Sequence, residues 1–112
     1  MGIFDFFKKE TNNTNSEKEN YMETWKLIAH GTVQGVGFRW SVQNLAQALG
    51  INGTVRNNPD MTVTIMLQSS LDEVNHFIAE LPKNVSPFAK ITQISKEKLT
   101  GVEKMHGFHV LY

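Results

Sequence analysis

The chain has 112 residues, 11 Lys+Arg against 11 Asp+Glu, and no cysteine. That length suits one domain with an ordinary core, and the absence of thiols excludes disulfides, thiolate nucleophiles and zinc–thiolate sites. Zero formal net charge argues against nucleic acid or an anionic membrane as partner, since both recruit an excess of cations.

Residues 1 to 22 differ from the remainder. Thr11 to Asn20 contains no apolar side chain and reads as an unstructured linker. Ahead of it, Ile3, Phe4, Phe6 and Phe7 adjoin Lys8 and Lys9. So short a helix is marginal in isolation, so a mobile tail is expected rather than a membrane anchor. No secretory leader pattern is present, and no run approaches the ~20 apolar residues that span a bilayer. The expected compartment is the cytoplasm and the expected form a monomer.

From Trp25 the pattern becomes regular and marks out a folded domain over residues 23–112. Trp25, Leu27, Ala29 and Val33 recur at period two and share one face of a first strand. The turn Gln34-Gly35-Val36-Gly37 follows, and then Phe38, Val42, Leu45, Ala46 and Leu49 repeat at helical spacing up to the stop signal Gly50. A second strand is expected near Ile51 to Arg56. After the turn residues Asn58-Pro59-Asp60, the alternating Val63, Ile65 and Leu67 complete a hairpin. A tight connection there commonly puts its last residue, Met61, at positive φ, where methionine is strained unless the loop takes another shape. Ser70-x-x-Glu73 is a capping box, and the helix it opens turns Leu71, Val74, Phe77, Ile78 and Leu81 inward before Pro82. Weaker strands are expected around Lys90 to Ser95 and Phe108 to Leu111. The order is βαββαβ with one possible extra strand. It implies an α+β, ferredoxin-like sandwich: an antiparallel-rich sheet with two amphipathic helices on one face.

The strand-to-helix turn carries the chemistry. Glycines at 35 and 37 let backbone N–H groups converge on an anion, and the helix dipole adds positive potential there. Arg39, on the first helical turn, supplies a planar fork for phosphate oxygens. A cation opposes the dipole at that end, so its position makes best sense with an anion between them. The turn is neither a Walker A loop nor a dinucleotide fingerprint. Glycines also occur in such turns for geometry alone, and both readings are open at this level. Asn57 by itself is an ordinary turn residue, as is Asn58, which is expected to matter little. His106 and His109 are expected on opposite faces of one strand, poor geometry for a shared metal, and no metal site is expected. Lys96, Glu97 and Lys98 read as solvated surface.

Gly31-x-Val33-Gln34-Gly35-Val36-Gly37-Phe38-Arg39 resembles the first signature of the acylphosphatase family, and Gly53-Thr54-Val55-Arg56-Asn57 its second. The resemblance runs from Trp25 to Tyr112 and includes Ser86-Pro87-Phe88-Ala89 and Phe108-x-Val110-x-Tyr112. It implies hydrolysis of acylphosphates to carboxylate and phosphate without a cofactor, on a small-molecule substrate. Arg39 and Asn57 would be catalytic, and Gln34, Gly35, Val36, Gly37 and Phe38 would bind substrate. Such a site has no acid to protonate a poor leaving group, which suits a mixed anhydride whose carboxylate leaves unaided and does not suit a phosphate monoester. Thr54 stands where an aromatic is common and Met61 where glycine is usual. The alternatives are a non-catalytic phosphoanion-binding or regulatory module, and a carbamoyl-phosphate-handling domain of the kind joined to hydrogenase-maturation carbamoyltransferases. RNA binding would need stacking aromatics on the central strands, and Thr62 to Leu67 has none.

Overall fold

The structure, a computed structural model, describes residues 22–112. The tail expected over residues 1 to 22 lies, but for Met22, outside the described residues. Met22 already belongs to the fold: its N–H donates to Val102 O at 3.1 Å, and Thr24 Oγ1 donates to the Met22 carbonyl at 2.9 Å.

The elements are β1 (Thr24–Thr32), α1 (Phe38–Leu49), β2 (Asn52–Asn57), β3 (Val63–Gln68), α2 (Leu71–Glu80), a 3-10 turn (Leu81–Lys83), β4 (Lys90–Leu99) and β5 (Phe108–Leu111). Five strands form one sheet in the order β4-β1-β3-β2-β5. All neighbours are antiparallel except β5, which runs parallel to β2 with Arg56 opposite Leu111. The possible extra strand is therefore real, and it closes the edge beside β2. One sheet face supplies Leu27, Ala29, Val55, Val63, Ile65, Leu67 and Phe108 to the core, against Phe38, Val42, Leu45 and Ala46 of α1 and Val74 and Phe77 of α2. The periodicities expected for both helices and the sandwich architecture are thus realised.

Some local readings change. Leu71 is 38% exposed, because the first helical position sits on the solvent side of the entering turn. Ser70 Oγ accepts from the Glu73 N–H at 3.2 Å, as a capping box requires, but the Glu73 carboxylate accepts from the Ser69 hydroxyl instead of closing the box. β4 extends to Leu99, beyond the expected Ser95, because β1 pairs with it along its whole length. Lys96, Glu97 and Lys98 are exposed on this edge strand, where charge discourages pairing with another chain. His106 precedes β5, and its carbonyl contacts His109 Nε2 at 2.7 Å, so the two histidines do not share a strand.

The hairpin between β2 and β3 is built by Asn58. The Met61 N–H donates to Asn58 O at 3.1 Å, and the Asn58 N–H donates to Thr62 O at 2.8 Å. The Asn58 amide also donates to the hydroxyls of Thr62 and Thr64, at 3.0 and 2.8 Å. Asn58 is therefore a brace for the turn, not the idle neighbour of Asn57. Thr62 donates to Asp60 Oδ1 through its hydroxyl at 2.5 Å and its N–H at 3.1 Å, and these bonds hold the Asp60 carboxyl below its usual range. Met61 takes φ 76°, the left-handed conformation expected for a glycine-type position, and is 60% exposed. Left-handed backbone costs an L residue about 1–2 kcal/mol. Met61→Gly is expected to raise stability, since that relief exceeds the roughly 0.4–1 kcal/mol of added unfolded-state entropy. Equilibrium unfolding beside the parent chain checks it, and a loss of stability would show that the turn is not strained.

Candidate active site

The segment from Val33 to Phe38 leaves β1, turns over the end of the sheet and enters α1. Gly35 and Gly37 both have φ near +75°, which a side chain would strain. Gly37 is the N-cap of α1, and no side chain caps that helix end. α2 offers the contrast, with a serine cap and Asp72 and Glu73 in its first turn. The first turn of α1 has no acidic residue. Its leading N–H groups have no intrahelical partner, so they remain available to an anion.

Two side chains tie this loop down through three hydrogen bonds. Gln34 Nε2 donates to the carbonyls of Asn58 and Thr62, both at 2.9 Å, which ties the loop to the β2–β3 hairpin. Ser86 Oγ donates to Val36 O at 3.2 Å, which gives the Ser86-Pro87 segment a structural task. Gln34 and Val36 thus face the scaffold. They do not line the cleft that the loop borders.

That cleft, of about 440 Å³, is lined by Val33, Gly35, Gly37, Phe38, Arg39, Trp40, Gln43, Asn57, His109, Val110 and Tyr112. Of the seven residues assigned to a site from sequence, Arg39, Asn57, Gly35, Gly37 and Phe38 come together here. Arg39 is half-buried; its Nη1 donates to Leu111 O at 3.4 Å, and its guanidinium lies 4.8 Å from the Tyr112 ring centroid. Among the described residues the ion pairs are Lys83–Glu80 and Lys98–Glu23, so no described carboxylate neutralises Arg39. A neighbouring cleft of about 300 Å³ adds Arg56 on the far side of Asn57. Positive potential is therefore local, in a chain of zero net charge.

Asn57 ends β2 beside the loop. Its Oδ1 is buried and accepts no hydrogen bond among the described residues. A buried carbonyl without a donor carries a desolvation cost. Asn57 shares its sheet face with Val55, whereas Thr54 and Arg56 project to the opposite, uncovered face with Lys26, Thr64 and Met66. The unusual Thr54 therefore stands away from the cleft. Trp40, Gln43, His109 and Tyr112 line the cleft without having been singled out as site residues. Only Tyr112 had a signal in the sequence, as the last residue of the Phe108-x-Val110-x-Tyr112 pattern.

The acylphosphatase family model matches residues 25–110, which takes in both the loop and Asn57. An acylphosphatase of Lactobacillus johnsonii is 41% identical over 91 residues, covering 81% of this chain and all of that protein. The acylphosphatase of Bacillus subtilis is 37% identical over 81% of this chain and 99% of its own length. The crystal structure of acylphosphatase from Bacillus subtilis superposes with a TM-score of 0.73 at 36% identity, over 81% of this chain and all of that one. A similar fold, at 27% identity and TM-score 0.72, makes up 12% of a longer chain, full-length HypF. Matches that span the whole length of stand-alone acylphosphatases, and that include the glycine loop, the arginine and the asparagine, make this chain a member of the acylphosphatase family.

Proposed function

We propose that this acylphosphatase breaks the mixed anhydride by in-line attack of a water held at Asn57 on a phosphoryl group held by the loop. The N–H groups of Gly35, Gly37, Phe38 and Arg39 and the Arg39 guanidinium bind the phosphoryl oxygens. The water oxygen bonds to phosphorus, the bond from phosphorus to the acyl oxygen breaks, and the carboxylate departs with the electron pair. The water proton passes to a phosphoryl oxygen. The observation that carries this reading is the position of Asn57 at the end of β2, lining the same cleft as Arg39, Gly35 and Gly37. Its side-chain amide there holds a water and aims a lone pair at phosphorus. The protein then contributes positioning and charge stabilisation, which phosphoryl transfer mostly needs.

Among the described residues no cleft-lining side chain is a carboxylic acid, and His109 Nε2 is engaged by the His106 carbonyl at 2.7 Å. Leaving groups that need protonation are therefore served poorly. Phosphate release from a simple aryl acylphosphate is expected at least ~10³-fold faster than from the matching aryl phosphate monoester, with kcat/KM as the measure. Comparable rates on the two would overturn this mechanism. Among the described residues, no helix is long and apolar enough to cross a membrane. The same reading takes the chain as a cytoplasmic monomer, supported by the charged edge strand β4.

A further inference from the structure

The cleft is larger than its anion. At about 440 Å³ the cleft exceeds the room that one phosphoryl group takes. A phosphoryl group at Gly35, Gly37 and Arg39 fills one end. The remaining walls differ in character: Trp40 and Gln43 come from α1, His109 and Val110 from β5, and among the described residues Arg39 is the only lining side chain with a fixed charge. Arg39, Gln43 and Trp40 fall within about 100° of one another around α1, on the side away from the core stripe. Trp40 is 67% exposed there, so the core does not account for it. Ligand sites pair such aromatic surfaces with a few polar groups.

The reaction geometry says which part of the substrate lies there. In an in-line displacement the leaving oxygen departs opposite the water, so an Asn57-held water sends the acyl group away from Asn57. Asn57 lies at the end of β2, level with the end of β5, because Arg56 pairs with Leu111 and Thr54 with His109. Gln43 Nε2 donates to Phe108 O at 3.2 Å, which closes the other end of the groove between α1 and β5. The acyl group is thus directed along that groove and past the indole.

We propose that the groove between α1 and β5 is the acyl-group subsite, and that Trp40 makes it select flat, uncharged aromatic acyl groups over short aliphatic ones. The proposal rests on the in-line reading above. It is tested with benzoyl phosphate and acetyl phosphate, whose carboxylate leaving groups are of similar basicity, so that a difference in rate reports recognition. In Trp40→Ala the benzoyl-to-acetyl ratio of kcat/KM is expected to fall about tenfold, chiefly through KM for benzoyl phosphate. Trp40→Phe should keep most of the ratio. Inorganic phosphate, which reports the anion cradle alone, should inhibit both variants as it does the parent. An unchanged ratio, or equal losses on both substrates, would overturn the subsite while leaving the hydrolytic reading intact. If the parent hydrolyses neither substrate, the hydrolytic reading fails and the subsite falls with it.

Discussion

Arg39→Ala is expected to lower kcat/KM for an acylphosphate by about 10³-fold and to weaken competitive inhibition by inorganic phosphate in parallel. The size follows from the number of roles in one side chain. Among the described residues Arg39 is the only side chain with a fixed charge lining the main cleft, it stands on the first turn of a helix with no side-chain cap, and it forms no ion pair with a described carboxylate. Its protein contacts are a carbonyl at 3.4 Å and the Tyr112 ring, so truncation leaves no buried charge without a partner and the melting temperature should change little. Arg39→Lys should recover only a small part of the activity, because an ammonium cannot reproduce two parallel N–H bonds to a phosphoryl group. Steady-state kinetics with phosphate as inhibitor checks this. Near-parental activity in the alanine variant would rule out the anion cradle as drawn.

Asn57→Ala should separate turnover from binding. Loss of the water-orienting amide is expected to cut kcat by about 10²–10³-fold while inorganic phosphate still competes at close to its parental inhibition constant. Because Asn57 Oδ1 accepts nothing from the described residues, its removal orphans no described donor, and stability should hold. Asn58→Ala is the instructive neighbour. It removes two donations to the Thr62 and Thr64 hydroxyls, so it should cost about 1–2 kcal/mol of stability and act on turnover only through the hairpin. Kinetics and unfolding on both variants distinguish the two roles. Parallel losses of kcat and stability in Asn57→Ala would assign that residue to the turn instead of the water.

Most of the architecture was legible because hydrophobic period reports burial directly. Phe38, Val42, Leu45 and Ala46 at helical spacing, and Val63, Ile65 and Leu67 at period two, can bury one face only in the elements they form. The strain at Met61 was legible for a similar reason, since the length of the hairpin connection fixes the sign of φ. The loop glycines and Arg39 announced an anion site through backbone chemistry that is local to the segment.

What only the tertiary structure decided are the facts that depend on which distant groups meet. Sequence assigned Gln34 to the substrate site, and only the fold shows that its side-chain amide donates to two carbonyls 24 and 28 residues on, which couples the loop to the Asn57 hairpin. It read Asn58 only as a turn residue, because the two hydroxyls that Asn58 braces become neighbours only when β2 and β3 pair. Trp40 and His109 were unremarkable on their own elements. They became walls of one cleft because β5 returns parallel to β2 and lies beside α1. Local periodicity specifies which side of an element is buried, whereas the partner of an exposed polar or aromatic side chain is set by chain segments whose approach no local pattern records.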